Sequence, residues 1–449
     1  MCYFKQIYTN IIVKIKSFRI ENIGKFSNLD ISFSKESSLS NHIIIIGNNG
    51  SGKTTILESI ALSLSWFVSR VKNDKGNGST INELKIKNNS NSGNIKITVN
   101  DNNEDFTWLI SKSKKGRKNE TPTNLEGLNR LVDKYRTNFT SDNNTSFPIL
   151  TYYDANRGVL DIPLRIRTKH IFEQLNGYDN SLKGLVDYRT FFEWFRQRED
   201  IENEDKINFF KSIDLTKEIK TDLIEKLNDV SDKQLNCVRE ALSVFLPEFD
   251  NIRVERKPRI HMAVNKNGES LNLEQLSQGE KLTMAMVGDI ARRLSTLYPN
   301  VANPLLGTGI IIIDEAELHM HPKWQRTLIE RLNNTFPNCQ FIYTTHSPLL
   351  ISDFKDVLCY SLYDEELIPV TQMYGLDVNQ VLLEAMDTDI RNSDVQAIVN
   401  NFRGAISTKN LEMSTIYFNQ LNLVLPENHI EMIKSRLLLR KIELSNEKN

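Results

Sequence analysis

Four β-branched residues stand in a row at Ile43-Ile44-Ile45-Ile46. A short unbroken apolar run of this kind predicts a strand buried on both faces, as in a parallel sheet. Gly309-Ile310-Ile311-Ile312-Ile313 and Phe341-Ile342-Tyr343-Thr344-Thr345 have the same character, and Pro148 to Tyr153 predicts a fourth strand. Elsewhere the pattern alternates. Ile15, Phe18, Ile20, Ile23, Phe26, Leu29, Ile31 and Phe33 predict two antiparallel strands with a turn at Asn22-Ile23-Gly24. Ile95–Val99 and Phe106–Ile110 predict a hairpin through Asn100-Asp101-Asn102-Asn103, and Ile252–Glu255 with Ile260–Val264 a second one through Pro258.

Helical spacing takes over between the strands. Thr55 to Leu62 predicts a helix directly after the first apolar run, and Leu160 to Phe249 is expected to be largely helical. There Leu223, Leu227 and Val230 form one apolar face, and Leu235, Val238, Leu242 and Phe245 another. Phe191, Phe192, Trp194 and Phe195 read as core, set among charges of both signs. Leu282, Ala285, Met286, Ile290 and Leu294 place one apolar side on a later helix. Beyond Thr371 the chain is expected to be helical again. Val395, Ile398, Val399, Phe402 and Ile406 share a face there, and Ile430, Ile433, Leu437 and Leu438 form a second. No heptad repeat lasts long enough for an extended coiled coil.

Composition narrows the class. The 449 residues suffice for two or three domains, and a formal net charge of −1 favours no charged partner as a whole. Locally, Lys112-Ser113-Lys114-Lys115-Gly116-Arg117-Lys118 is basic, which reads either as a nucleic-acid contact or as a solvated face. No apolar run approaches a membrane span, and Met1 to Gln6 lacks the apolar core of a signal peptide. Cys2, Cys237, Cys339 and Cys359 show no paired spacing, so neither a metal site nor a disulfide framework is expected and a reducing cytoplasm fits.

The chemistry starts at Gly47-Asn48-Asn49-Gly50-Ser51-Gly52-Lys53-Thr54-Thr55, a match to the phosphate-binding loop between a predicted strand and a predicted helix. Glycines let the backbone turn its N–H groups inward, and with the helix N-terminus these form an anion cradle. Lys53 is expected on the β- and γ-phosphates of ATP, and Thr54 on Mg²⁺. Lys25 is either a further phosphate ligand or a surface lysine.

Three later motifs point to the same place. Ser277 and Glu280 in Leu276-Ser277-Gln278-Gly279-Glu280 have capping-box spacing, so Ser277 Oγ and the Gly279 N–H stand at a helix N-terminus. Asp314 and Glu315 end an isoleucine strand. Asp314 is expected on Mg²⁺, Glu315 on the attacking water as general base, and the pair is expected to require a cation. His346 ends the third apolar strand, within reach of a γ-phosphate, with Ser347 as N-cap and Pro348 opening a helix. His319 and His321 form an H-x-H pair that alone is poor evidence for a metal. Gly47, Asp314 and His346 all follow carboxyl ends of strands, the edge where open α/β sheets bind ligands.

Phosphate loop, L-S-x-G-E, I-I-D-E and a switch histidine, in that order, resemble the ABC-type ATPases, in the branch of SMC, RecF and OLD proteins. The implied fold class is α/β, an ABC-type P-loop ATPase head with an antiparallel β edge, a helical insertion and a C-terminal helical tail. Residues 1–160 would form the N-terminal ATPase lobe, 161–250 the helical insertion, 251–370 the C-terminal ATPase lobe and 371–449 the tail. The stretches Tyr152–Arg167, Phe191–Phe195 and Asp314–Gln325 resemble more closely the PtuA family, ATPase subunits of Septu-type or retron-associated antiphage systems. Asp154 and Ala316 depart from that family's pattern. The resemblance implies ATP and Mg²⁺ as cofactors and two heads sandwiching ATP in a homo-oligomer, with Ser277 and Gly279 acting in trans. It implies Asn156 or Arg157 near the Q-loop position. It also implies an HNH nuclease subunit (PtuB-like) as partner, a retron reverse transcriptase with its msDNA in the retron setting, nucleic acid in the complex, and no membrane. The alternative is a DNA-repair or chromosome-structure ATPase of RecF or SMC type. A transporter ATPase usually reads L-S-G-G-Q, and a self-contained OLD nuclease needs a TOPRIM domain with a Glu and a later D-x-D, a pattern that Asp364-Glu365-Glu366 does not have.

Overall fold

The computed structural model describes residues 12–35, 38–118, 121–142, 144–156, 173–185, 188–212, 230–371, 373–386 and 391–446. They fall into two compact units, Met1–Leu376 and Asp377–Asn449.

The first unit is built on a six-stranded sheet. Its strands are β5 (His42–Gly47), β8 (Ile149–Tyr153), β12 (Gly309–Ile313), β13 (Cys339–Thr345), β14 (Val357–Tyr363) and β15 (Glu366–Val370), in the order β15-β14-β5-β13-β12-β8. All neighbours run parallel except the β14–β15 hairpin at the edge. Ile43–Ile46 and Ile310–Ile313 are fully buried, which is why these strands read as continuous apolar runs.

A second sheet has the order β2-β1-β6-β7, all antiparallel: β1 (Val13–Ile23), β2 (Phe26–Ser32), β6 (Ser92–Asp101) and β7 (Glu104–Ser113). A minimal pair, β3 (Ser34–Lys35) and β4 (Ser38–Leu39), leads from it to β5. The first turn falls at Gly24-Lys25, two residues later than the pattern predicts. Asn102 and Asn103 both adopt positive φ, the backbone a two-residue hairpin turn demands. Helix α1 (Lys53–Lys72) packs on strands of both sheets.

The two sheets are stitched by one buried side chain. β1 bulges between Ile15 and Ser17, which frees backbone groups of Ile15 from the ladder. Gln340 on β13 is fully buried and satisfies them: Ile15 N–H donates to Gln340 Oε1 at 2.7 Å, and Gln340 Nε2 donates to Ile15 O and Ser40 O at 3.1 Å each.

Helix α2 (Glu126–Ser141) was not anticipated, because its flanks are polar. Its signal is present in buried Leu128, Leu131, Val132 and Tyr135, spaced for one helical face. The helical region contains α3 (Tyr188–Ser212) and α4 (Lys233–Phe245), and it buries the Phe191, Phe192, Trp194 and Phe195 cluster as expected. The face predicted at Leu223 and Leu227 lies outside the described residues. The second predicted hairpin forms as β9 (Phe249–Glu255) and β10 (His261–Lys266), joined by a third strand, β11 (Glu269–Asn272).

Helix α5 (Gln278–Leu297) departs from its predicted one-sided pattern. It is buried on every face from Leu282 onward, charged residues included. Asp289 accepts from Arg292 Nη2 and Arg293 Nε at 2.7 Å each and from Tyr153 Oη at 2.9 Å. Burial alone would raise the Asp289 carboxyl, but the two guanidiniums outweigh it and bring it to about 2. Arg293 also donates to the carbonyls of Gly177 and Asp179. The polar pattern therefore marks a paired internal network, not a solvent face.

The second unit holds α8 (Val378–Glu384), α9 (Ser393–Ser407), α10 (Leu411–Val424) and α11 (Ile430–Asn446). Val399, Phe402, Leu421, Met432 and Leu439 form its core, with Ile398 and Ile406 packed against it. Ile430, Ile433, Leu437 and Leu438, which share the second predicted face, are exposed. α11 carries two apolar stripes, and helical spacing alone does not say which one is buried. The stripe with Met432, Ser435 and Leu439 wins, tied down by buried Glu431 accepting from Arg391 and Arg403 at 2.9 and 2.8 Å. No helix among the described residues is long and apolar enough to cross a membrane.

Candidate functional site

The strand order brings the sequence motifs together. β5, β13 and β12 are adjacent and parallel, with Ile46 opposite Thr345 and Ile313 opposite Tyr343. Gly47, His346 and Asp314 therefore leave one edge of the sheet on three consecutive strands. β8 adds Asp154 beyond them, since Tyr153 pairs with Ile313.

The loop after β5 has the backbone its glycines predict. Gly47, Gly50 and Gly52 all adopt positive φ. At Gly52 a side chain is also sterically excluded, because a Cβ would stand 2.6 Å from the Phe26 ring. Lys53 opens α1, and its Nζ donates back to Gly47 O at 2.8 Å and Asn48 O at 3.1 Å. Burial lowers the Lys53 ammonium from its ordinary value, while Asp314, Glu315 and Glu317 pull the other way. Ser51 Oγ is buried without a hydrogen-bond partner among the described residues. An orphaned donor in this loop fits a phosphate oxygen. Lys25 lies against this loop, with Cε 3.5 Å from where a Gly52 Cβ would be.

Asp314 is buried and reaches the loop directly. Thr54 Oγ1 donates to Asp314 Oδ2 at 2.7 Å, and Thr344 Oγ1 donates to Asp314 Oδ1. Within the chain, hydroxyls thus bond both oxygens of Asp314. The same pairing puts a hydroxyl and a carboxylate oxygen side by side at the loop, a donor set that suits Mg²⁺, which takes few protein ligands. Among the described residues no three of His, Cys, Asp or Glu converge as a metal site.

Glu315 follows with φ 46°, left-handed backbone in a residue that rarely adopts it. Its N–H donates to Thr344 Oγ1 at 2.8 Å. Thr344 therefore holds both members of the acidic pair, a role the sequence reading missed although two threonines stand directly before His346. His346 is exposed. The short helix after it, α7 (Leu349–Ser352), begins one residue later than predicted, with Ser347 Oγ accepting from Leu349 N–H at 3.2 Å. His321 caps helix α6 (Pro322–Thr335) by accepting from Lys323 N–H at 3.2 Å, which explains half of the H-x-H pair structurally.

The predicted capping box forms. Ser277 Oγ accepts from Glu280 N–H at 3.3 Å and donates to Glu280 Oε2 at 2.8 Å, while Ser277 N–H donates to the same carboxylate. Burial would raise the Glu280 carboxyl, but Lys266 at 2.6 Å and the Ser277 donors hold it below the usual range. Ser277 is exposed, and Gly279 is pressed against the turn after Glu315, where a Cβ would lie 2.1 Å from His319 O. The structure brings Gly47 to Thr55, Asp314, Glu315 and His346 to one edge. Ser277 and Gly279 stand at the start of a separate helix. Asn156 is exposed in the turn after β8, and Arg157 lies outside the described residues.

A phosphate loop bonded to a strand-end aspartate across an intervening switch strand, with a capped L-S-x-G-E helix, defines an ABC-type P-loop ATPase. The chain belongs to the family described as AAA domain, putative AbiEii toxin, type IV TA system, whose match spans residues 43–352. It is 34% identical over 392 residues to the Retron Ec83 probable ATPase of Escherichia coli, covering 77% of this chain and 71% of that protein. The Retron Vc95 probable ATPase of Vibrio cholerae serotype O1 biovar El Tor is 34% identical over 383 residues, with 77% and 73% covered. The Septu protein PtuA of Bacillus thuringiensis is 24% identical over 452 residues, with 93% and 96% covered.

Proposed function

We propose that this chain is the ATP-hydrolysing regulatory subunit of a cytoplasmic antiphage defence complex, gating a partner HNH nuclease of the Septu or retron type. The observation that carries the ATPase half is the Thr54–Asp314 contact, which joins the loop and the strand-end carboxylate in one site. The defence half is supported by the retron and Septu relatives.

In this reading Lys53, the loop amides from Gly47 to Thr55, and Ser51 Oγ hold the phosphates. Thr54 and Asp314 hold Mg²⁺, which when bound supplies charge neutralisation on the β- and γ-phosphates. Glu315 orients and deprotonates the attacking water, and His346 meets the γ-phosphate. Asn156 or Arg157 stands at the Q-loop position. Ser277 and Gly279 serve the nucleotide of a second head. Reverse transcriptase and msDNA join the complex if the system is a retron.

The test is reconstitution. The purified chain with Mg²⁺ or Mn²⁺ is expected to hydrolyse ATP and to cut neither DNA nor RNA. Addition of the nuclease encoded beside it is expected to bring cleavage that ATP alters. Lys53→Ala should remove most ATP affinity, and Glu315→Gln should keep binding while losing about 10²- to 10⁴-fold in hydrolysis. Cleavage by the isolated chain that survives Glu315→Gln would overturn the division of labour. ATP-dependent DNA binding with no nuclease partner would favour the RecF or SMC type.

A further inference from the structure

Four consecutive residues at the end of β12 are bonded, one after another, to the end of β13. Asp314 takes the Thr344 hydroxyl, and Glu315 N–H donates to that same oxygen. Ala316 N–H donates to Thr344 O at 3.0 Å. Glu317 completes the series with its side chain. Its Oε2 accepts from Thr345 Oγ1 at 2.7 Å, and its Oε1 accepts from His346 N–H at 2.6 Å. Both bonds are charge-assisted, and the carboxylate spans the two residues at the switch.

A second side chain closes the same loop from behind. Gln325 on α6 accepts from Ser347 Oγ at 2.6 Å and donates to Met320 O at 2.9 Å. Thr345 Oγ1 accepts from Ser347 N–H at 2.9 Å, so the threonine that Glu317 grips also shapes the turn. The exposed His346 thus sits on a backbone fixed from the aspartate strand. Without Glu317 its amide has no partner in the sheet, because β13 ends at Thr345.

We propose that Glu317 is a positioning residue for ATP hydrolysis: it clamps the Thr345-His346 backbone to the end of the Asp314 strand and so sets where the His346 side chain stands. It acts as a hydrogen-bond acceptor, neither as a base nor as a metal ligand. This rests on the role given to His346 above. A displacement of about 1 Å at a reacting centre can cost about 10²-fold in rate, so the clamp is worth a measurable factor.

The experiment is a double-mutant cycle on steady-state ATPase activity, read beside nucleotide affinity. Glu317→Ala is expected to lower kcat by about 10- to 100-fold with the ATP dissociation constant within about 2-fold of wild type. Glu317→Gln keeps an acceptor oxygen for the His346 amide and should recover all but a few-fold of that loss. Thr345→Val, which deletes the hydroxyl that donates to Glu317 and accepts from Ser347 N–H, should give a partial loss and serves if Glu317→Ala folds poorly. On the His346→Ala background, Glu317→Ala should cost nothing further, because both changes remove one unit. Three results would overturn the proposal. One is a Glu317→Gln enzyme as impaired as Glu317→Ala, which would make the charge itself essential. Another is an undiminished Glu317 effect on the His346→Ala background. The third is wild-type kcat in Glu317→Ala. Wild-type kcat in His346→Ala would instead sink the histidine's assigned role, a separate outcome.

Discussion

At the scale of single residues, the environment decides what each motif letter means. His42 begins the phosphate-loop strand. It is buried, stacked on Phe341 and Tyr343, and hydrogen-bonded to Tyr343 Oη at 3.0 Å and Asn333 Oδ1 at 3.1 Å. Burial, opposed by Asn333, brings the imidazole down from 6.5 to about 4. The unfolded chain binds a proton near 6.5 and the folded chain only near 4, so this stability is full above 6.5. It is lost as pH falls through 4. The loss across that window amounts to at most about 3 kcal/mol. Urea midpoints should therefore fall between pH 7 and pH 4.5, and His42→Phe should flatten that part of the slope. An unchanged slope in the variant would remove His42 as the titrating group. The opposite lesson comes from Asp314. Its position after an isoleucine run is legible, but its partners within the chain are not. Two threonine hydroxyls, Thr54 on α1 and Thr344 on β13, donate to it, and no local pattern announces a partner 30 or 260 residues away.

At the scale of elements, strands buried on both faces were the most legible part of the chain, because a run of isoleucines has few alternatives. Helices were less so. α2 was hidden by polar flanks, α5 presented charges that are internal, and α11 offered two apolar stripes of which one is used. In each case tertiary packing chose among local options that spacing left open. The bulge at Ile15 shows the same dependence in a strand. Gln340→Leu keeps the volume but leaves Ile15 N–H, Ile15 C=O and Ser40 C=O without their Gln340 partner. Each buried unsatisfied group costs about 1–3 kcal/mol, so the two Ile15 groups alone should cost about 2–6 kcal/mol of stability. Denaturant titration measures this, and a loss under about 1 kcal/mol would mean that water or a neighbour replaces the side chain.

At the scale of the whole molecule, the phosphate loop and the strand-end acid pair converge within one head, while the capped Ser277 helix presents an exposed serine. Under the proposed sandwich, Ser277→Arg should leave ATP affinity intact and abolish ATP-dependent assembly, because the guanidinium fills the space for the second head's γ-phosphate. Light scattering with and without ATP, beside a binding isotherm, makes the comparison. Loss of both together would mean that Ser277 serves only to cap its helix. This partition into self-contained and shared residues cannot be read from one chain's pattern, which is why the resemblance had to supply it.

The order of strands in the central sheet also sets a timetable for synthesis. β5, which carries the phosphate loop, is flanked by β13 and β14, and both come from beyond Pro337. A ribosome that has made the first 300 residues has therefore produced the loop but neither of its neighbours. Until then Ile43–Ile46 is an apolar strand with two open edges, the kind of segment that pairs wrongly with other chains. Long-range pairing of this kind folds slowly. Nascent or truncated forms of this ATPase should consequently bind no nucleotide and depend on chaperones, whatever their length short of the switch strand.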